Sequence, residues 1–133
     1  MVKFDTYKTI DLSHDDKVKI CDLFYQTFHI EKKIEYFEKE FTNTCKGYSY
    51  HCIYRSDGNI LASYCIIPKE YNVKGEKKLL GLSVDTMVSP KAKIGPFGIA
   101  DMSSLTEQIA KEDGCSIIYG FPNNNFLNTT LKY

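Results

Sequence analysis

LLGLSVDTMV, residues 79–88, is long and aliphatic enough to form a central β-strand. Ser89-Pro90 ends the run, because proline has no N–H to donate to a β-ladder. The segment that follows, Lys91–Gly98 (KAKIGPFG), carries two lysines and two glycines immediately before a helical pattern. Free backbone N–H groups and the helix dipole attract anions to the start of a helix. A phosphorylated cofactor is therefore expected to bind at this turn.

A helix and a second strand follow the turn. The helix is predicted from Ile99 to about Asp113, because apolar residues recur there every three or four positions. These residues are Ile99, Met102, Leu105 and Ile109. Gly114 ends the helix, and residues 115–121 (CSIIYGF) form a second apolar run. Strand, helix and strand make a βαβ unit, whose two strands are expected to be parallel.

This unit, closed by Phe121-Pro122-Asn123-Asn124-Asn125, resembles the acetyl-CoA-binding core of the GNAT superfamily, the Gcn5-related N-acetyltransferases. In that family the turn reads Arg/Gln-x-x-Gly-x-Gly/Ala, and its amides hold the pyrophosphate of coenzyme A. The register that fits here is Lys93-Ile94-Gly95-Pro96-Phe97-Gly98. Lys93 keeps only a positive charge, Pro96 stands where glycine is expected and removes a donor, and Gly98 matches. The resemblance implies an acyl-CoA-binding domain with a degenerate pyrophosphate motif.

The chain before this unit predicts a strand and two helices. Lys3–Ile10 alternates enough for an edge strand. Ser13-His14-Asp15-Asp16 resembles a capping box that opens a helix to about Phe28. The apolar face of that helix is expected to hold Val18, Cys21, Phe24, Tyr25 and Phe28. A second amphipathic helix is predicted from Ile30 to Phe41. Its wetter side is expected to hold Glu31, Lys32, Lys33, Glu35 and Glu38.

A hairpin is predicted next. Tyr48–Arg55 and Ile60–Ile67 are β-rich runs, and the Asp57-Gly58 pair between them is a strong hairpin signal. The polar segment Pro68–Lys78 is expected to be a surface loop. The predicted order is β-α-α-β-β-β-α-β, an α/β (α+β) fold with a GNAT-like mixed sheet in a single domain, residues 1–133. This order lacks the family's usual C-terminal helix and strands, so either a partner chain or a shortened form with an altered site is expected.

Composition limits the partners. The 17 basic and 17 acidic residues give zero formal charge, which argues against nucleic acid or an anionic membrane as a partner. No apolar run approaches the roughly 20 residues that span a bilayer, and no secretory signal opens the sequence, so a cytoplasmic protein is expected. The five cysteines lack CxxC spacing and are expected to be buried thiols. The three histidines show no metal-ligand spacing, so no metal is expected.

Acetyl transfer to an amine needs a bound thioester, donors that polarise its carbonyl, and a base. Asp85 is the one ionisable residue of the run 79–88 and could be that base, because an apolar wall raises the pKa of a carboxyl group. It could equally be a carboxylate satisfied by neighbouring hydroxyl or backbone groups. Tyr119 or Tyr133 could give a proton to the departing thiolate, and packing is the commoner role of a tyrosine.

The resemblance also implies cofactor-binding residues. In the family the two parallel strands splay apart, so the backbone of Met87 and Val88 would pair with the pantetheine arm. The turn would bind the pyrophosphate through Lys93, Gly95, Phe97 and Gly98, and an ordinary βα turn is the alternative. Asn123 and Asn125 follow the second strand, where the family often has an asparagine that bonds the cofactor. A turn and a helix cap are the alternative for these asparagines.

Two functions stay open. The first is an acyltransferase that moves acetyl from its substrate acetyl-CoA to an amine acceptor by direct transfer. The second is a non-catalytic GNAT-like module that binds a protein partner through the same sheet. An open β edge promotes association, so a homo-oligomer or a partner chain is expected to cover it. The acceptor could be a small molecule or a protein lysine, because the first two helices carry no recognisable code.

Overall fold

The structure is a computed structural model and describes residues 2–120. Its strands and helices follow in the predicted order, which confirms the α+β fold class. They are β1 (Phe4–Lys8), α1 (His14–Phe28), α2 (Ile34–Thr42), β2 (Tyr50–Ser56), β3 (Asn59–Val73), β4 (Glu76–Val88), α3 (Gly98–Glu112) and β5 (Ile117–Gly120). A short 3-10 turn, Thr9–Asp11, follows β1.

The strands of this range form one mixed sheet in the order β1-β2-β3-β4-β5. The pairs from β1 to β4 are antiparallel. Strands β4 and β5 are parallel, from Leu80 opposite Ile117 to Ser83 opposite Gly120. The predicted βαβ unit is therefore confirmed, with α3 as its crossover helix.

Helices cover both faces of the sheet and bury two apolar clusters. The cluster under α1 and α2 contains Leu12, Ile20, Cys21, Leu23, Phe37, Phe41, Ile53, Ile60, Cys65, Ile67 and Met87. The cluster under α3 contains Tyr50, Cys52, Ala62, Tyr64, Ile66, Met102, Ala110 and Cys115. Burial of this apolar surface is the main favourable contribution to folding.

Local sequence signals are confirmed at several element ends. Ser13 Oγ accepts a hydrogen bond from the Asp16 N–H at 3.1 Å, which caps α1. The Asp57-Gly58 pair has positive φ at both residues and joins β2 to β3. Four of the five cysteines are buried thiols as predicted, whereas Cys45 is exposed.

The predicted loop at Pro68–Lys78 is wrong. Strand β3 continues to Val73, and a Lys74-Gly75 turn leads directly into β4 at Glu76. Pro68 is tolerated inside β3 because β2 pairs with β3 only as far as Ile66, so at Pro68 one edge of β3 has no neighbour within residues 2–120. The sequence did not indicate this hairpin, because its residues face solvent and show no apolar alternation.

Two helical predictions also need correction. Helix α2 begins at Ile34 rather than Ile30, so residues 29–33 form an irregular linker between the helices. The buried residues of α1 are Ile20, Cys21 and Leu23, whereas Val18 and Tyr25 are exposed. Phe24 and Phe28 are partly buried against the cluster under α1 and α2, so the buried face of α1 is rotated from the predicted one towards Ile20 and Leu23.

A buried polar network ties the 3-10 turn after β1 to β2 and β3 under α2. The Ser49 N–H donates to Thr9 Oγ1 at 2.8 Å, and the Thr9 hydroxyl donates to the Ser49 carbonyl at 3.2 Å. His51 Nε2 lies 2.8 Å from Thr9 Oγ1, and its Nδ1 lies 3.3 Å from the Cys65 sulfur. These partners suit a neutral ring. Burial, with a smaller contribution from Lys17, lowers the pKa of His51 to about 3.

This pKa makes the stability dependent on pH. The unfolded chain protonates His51 near its ordinary pKa of about 6.5, whereas the folded chain keeps the ring neutral. As the pH falls below that value, the free energy of unfolding should therefore drop by up to about 1.4 kcal/mol per pH unit from this residue. Urea unfolding of the wild type and His51→Gln at several pH values measures this, and the variant should show the flatter profile.

His14→Gln is the matched control, because His14 is exposed at the start of α1. This variant should show the same dependence of the free energy of unfolding on pH as the wild type. Equal slopes in the His51 variant and the wild type would show that His51 is not the group responsible.

Candidate active site

Strand β4 contains a bulge at Asp85. Ser63 on β3 lies opposite Met87, and Cys65 lies opposite Val84, so β4 uses three steps where β3 uses two. Asp85 has a φ of 52°, the left-handed conformation that aspartate tolerates better than most residues. The extra residue resets the alternation of side chains along β4.

The bulge determines where the Asp85 carboxylate points. Val84 and Met87 both pack in the cluster under α1 and α2. Simple alternation would send residue 85 to the α3 face. Instead, Asp85 Oδ2 accepts a hydrogen bond from Lys32 in the linker between α1 and α2. The carboxylate therefore lies on the same face as its two neighbours.

One edge of β4 is open beyond the bulge. Pairing with β5 ends at Ser83 and Gly120, so within the described range Val84–Val88 has no partner on that side. The Ser89 N–H donates to the Leu61 carbonyl at 2.7 Å, which makes Ala62 and Val88 a non-hydrogen-bonded pair. The N–H and C=O of Val88 are thus directed towards the open edge, and those of Met87 towards β3.

Lys32 is the centre of a charged cluster beside the bulge. Its ammonium lies 2.6 Å from Asp85 Oδ2 and 2.8 Å from Glu40 Oε2. It also lies 4.1 Å from the ring centroid of Phe24 and 5.4 Å from that of Phe41. Only 6% of the Lys32 side chain is exposed, which overturns its predicted place on the wetter side of α2.

The electrostatics of the cluster keep Lys32 charged. Burial alone would lower the pKa of Lys32, but the carboxylates of Asp85 and Glu40 outweigh it and raise that pKa. The pKa of Glu40 is also raised, chiefly by burial and also by the charge of Asp85, against the effect of Lys32. Two carboxylates close to one ammonium give the cluster a net negative charge.

An open groove of about 370 Å³ leads to the same carboxylate. Its lining is mostly apolar and comes from α1, the linker and β4: Phe24, Phe28, Ile30, Leu82, Ser83, Val84 and Asp85. Ile30 of the linker is 63% exposed at its rim. The groove therefore offers an apolar channel with a carboxylate at one end.

The turn between β4 and α3 is arranged around Ile94. Lys91, Lys93 and Phe97 are exposed, and Gly95 has a φ of 78°. The Gly98 N–H donates to the Gly95 carbonyl at 3.3 Å, so this donor is used within the turn. A Cβ on Gly98 would lie 2.4–2.6 Å from side-chain atoms of Ile94. Close packing by itself thus requires glycine at 98.

The start of α3 retains donors just beyond this turn. No side chain caps the helix at Phe97, and the first helical bond runs from the Asp101 N–H to the Phe97 carbonyl. The N–H groups of Ile99 and Ala100 precede that bond and have no acceptor within the helix. The anion-binding donors of the turn are therefore expected at 99 and 100, which the motif register had not indicated.

Tyr119 lies on β5 opposite Leu82, a groove residue, and so shares its face of the sheet. Its hydroxyl is hydrogen-bonded to that of Tyr71 on β3, and this bond raises the pKa of Tyr119 to about 12. The catalytic role of Tyr119 stays a prediction. Asn123, Asn125 and Tyr133 lie outside the described residues.

Sequence reasoning found Asp85 but missed Lys32 and Glu40. Charged residues at the surface of an amphipathic helix are normally solvated, so neither residue stood out. The residue types alone gave one signal: a single carboxylate on a buried strand requires a partner, and a lysine is the usual one.

Comparison with known proteins identifies the fold. No model of a known protein family matches the chain, and no curated protein matches its sequence. Solved structures do match. A predicted acetyltransferase with acetyl-CoA from Clostridium acetobutylicum superposes with a TM-score of 0.70 at 16% identity, over 98% of this chain and 88% of that chain.

Two further structures agree. Glucosamine-6-phosphate N-acetyltransferase from Arabidopsis thaliana gives a TM-score of 0.68 at 16% identity, over 98% of this chain and 89% of that one. A transcriptional regulator from Bacillus halodurans gives 0.72 at 11% identity, with the same coverage of both chains. The chain has the fold of the GNAT acetyltransferases.

No helix within residues 2–120 has the length and apolar character to cross a membrane. In the same range, no group of three His, Cys, Asp or Glu side chains could hold a metal ion.

Substitution at Gly98 tests how the turn is packed. Gly98→Ala should lower the free energy of unfolding by about 1–3 kcal/mol, because the new methyl group displaces Ile94 from the α3 cluster. Gly95→Ala has open space around it and should cost only about 1 kcal/mol, from its left-handed backbone. Chemical denaturation measures both.

The double variant Ile94→Ala/Gly98→Ala identifies the cause. If Ile94 excludes the methyl group, the double variant should be more stable than the sum of the two single effects predicts. Strict additivity would contradict this account of Gly98.

Proposed function

We propose that the protein transfers acetyl from acetyl-CoA to an amine acceptor by direct attack. The interrupted β4 strand supports this most strongly. Within residues 2–120, the backbone beyond the Asp85 bulge has no strand partner on one side and lies beside a carboxylate. The turn after β4 leads to a helix start whose first N–H groups have no acceptor within the helix. Acetyl-CoA has matching parts: an amide-containing arm, a thioester and a pyrophosphate.

The residues present fit that substrate. The Val88 backbone would pair with the pantetheine arm, since its polar groups are directed towards the open edge. The N–H groups of Ile99 and Ala100 would hold the pyrophosphate, and the exposed Lys91 and Lys93 would add positive charge. The predicted contributions of Gly95, Phe97 and Met87 are then conformational, because they shape the turn and the strand around these donors.

Bound acetyl-CoA would supply a thioester whose carbonyl carbon the amine nitrogen attacks while the C–S bond breaks. Asp85 would take the proton that the acceptor ammonium must lose. Because Lys32 holds Oδ2, this proton would go to Oδ1 unless Lys32 moves. As the amide forms, the nitrogen would lose its second proton to water. Tyr119 would protonate the departing thiolate, which leaves coenzyme A as the free thiol, and would regain its own proton from water.

Binding of coenzyme A is the first test. Calorimetric titration of the wild type with acetyl-CoA should show micromolar affinity. Lys91→Ala/Lys93→Ala should weaken it roughly tenfold or more, because two cations near the pyrophosphate are lost.

Lys77→Ala/Lys78→Ala is the matched control. It removes the same charge at the opposite end of β4, where both lysines pair with glutamates of the β3–β4 hairpin. Its affinity should equal that of the wild type. An absence of acetyl-CoA binding by the folded wild type would exclude the transferase and favour the protein-binding module.

Asp85→Asn tests the proposed base. Asparagine tolerates the left-handed backbone, so the bulge should persist while proton transfer is lost. The kcat for amine acetylation should fall by roughly a hundredfold, with the KM for acetyl-CoA unchanged.

Asp16→Asn is the control for loss of a paired carboxylate. Asp16 binds Arg55 through two hydrogen bonds of 2.7 Å at the start of α1, outside the groove. It should keep the kcat of the wild type. Equal kcat values for the Asp85 variant and the wild type would contradict the role of Asp85.

Association through the β5 edge also remains a proposal. Ile117 on β5 is 59% exposed, and a second copy of the chain or a partner chain would cover it. The molar mass in solution tests homo-oligomer formation.

A further inference from the structure

Lys32 is a buried ammonium carried by an irregular segment. The linker, residues 29–33, belongs to neither helix, and its neighbours Ile30 and Glu31 are exposed. A side chain held by a short linker can leave its position without unfolding a helix or a strand. The Lys32 ammonium is thus held by side-chain contacts and by a segment outside the regular elements.

The walls of this site come from three different elements. Asp85 lies on the bulge of β4, Glu40 on α2 and Phe24 on α1, and each contacts the ammonium. The rings of Phe41 and Tyr36 lie 5.4 and 5.9 Å from the same nitrogen. Carboxylates together with aromatic ring faces are the combination that binds alkylammonium ions. The cage, defined as Phe24, Tyr36, Glu40, Phe41 and Asp85, has this chemistry.

The groove gives the cage an entrance. Phe24 and Asp85 belong to both, and the remaining groove lining is apolar except for Ser83. A ligand with an apolar body in the groove would place its end group at Asp85. An end group that took the place of the Lys32 ammonium would have to be cationic, since a neutral group there would leave two carboxylates partly buried without a counter-charge.

We infer that the Lys32 ammonium occupies the position of the acceptor ammonium, and that the acceptor is a primary amine on an apolar chain or ring. This inference rests on the proposed function and names its substrate class. The acceptor displaces Lys32 as residues 29–33 move outward, and its ammonium takes over the contacts to Asp85 and Glu40. Exchange of one ammonium for another keeps the charge balance of the cage, so it costs less than the insertion of an extra charge.

Removal of the Lys32 ammonium tests whether the cage binds an alkylammonium ion, and the test needs no acetyl-CoA. Lys32→Ala should unfold at a lower temperature than the wild type, and millimolar n-butylammonium chloride should raise its midpoint by at least about 3 °C. Butanol and glucosamine should have less effect, since the first lacks the charge and the second lacks the apolar body. Sodium chloride at equal concentration corrects for ionic strength.

Lys17→Ala is the matched control. Lys17 pairs with Glu38 at 2.7 Å and is also mostly buried, but within residues 2–120 no aromatic ring face lies against its ammonium. Butylammonium should leave the thermal unfolding midpoint of the Lys17→Ala variant unchanged. Equal stabilisation of the Lys17 and Lys32 variants, or none in either, would overturn the inference.

The wild type provides a second measurement if Lys32→Ala does not fold. The NMR signal of the Lys32 side-chain nitrogen should move towards that of an exposed lysine as butylammonium is added. A Lys32 signal that stays fixed throughout the titration would overturn the displacement.

The two proposals fail separately. Binding of butylammonium without binding of acetyl-CoA would keep the cage as an alkylammonium site and exclude the transferase. Binding of acetyl-CoA without displacement of Lys32 would keep the transferase and exclude the cage as an alkylammonium site. If both hold, Lys32→Ala should lower the KM for butylamine and leave the KM for acetyl-CoA unchanged, whereas a purely structural lysine would not lower either.

Discussion

One extra residue in β4 is the constraint on which the site depends. The bulge at Asp85 places Val84, Asp85 and Met87 on the same face of the sheet, where a regular strand would alternate them. It also comes just after the last β4–β5 pair of the described residues, so within residues 2–120 the backbone beyond it has no partner on that side. A regular strand at this point would hide the carboxylate under α3 and give the groove an apolar end.

The ion pair of Lys32 and Asp85 turns that backbone feature into a structural link. It fixes the linker between α1 and α2 to the central strand, and Glu40 joins α2 to the same ammonium. Partly buried charges are costly unless they are paired, so the cluster is stable only while an ammonium is present. The same physical requirement that makes Lys32 a structural contact makes its position suitable for a cationic ligand.

The fold is that of the GNAT acetyltransferases, and the sequence resemblance predicts a turn before α3 that departs from the family's motif at Lys93 and Pro96. The geometry reduces the consequence of Pro96. The donors without helical acceptors lie at Ile99 and Ala100, and the Gly98 N–H is already bonded inside the turn. A proline that lacks an N–H therefore removes nothing that the helix start requires.

The sequence by itself determined the order of strands and helices, the parallel βαβ unit and the position of Asp85 on a central strand. These follow from periodicity, capping and turn residues, which act between neighbours in the chain. It failed for the β3–β4 hairpin, whose solvated residues show no apolar pattern, and for Lys32, which looked like an ordinary surface lysine. Only the tertiary structure decided that Lys32 meets Asp85, 53 residues away, and that a bulge turns this carboxylate towards the groove. Such contacts depend on the sheet register and the packing of separate elements, and no local pattern encodes them.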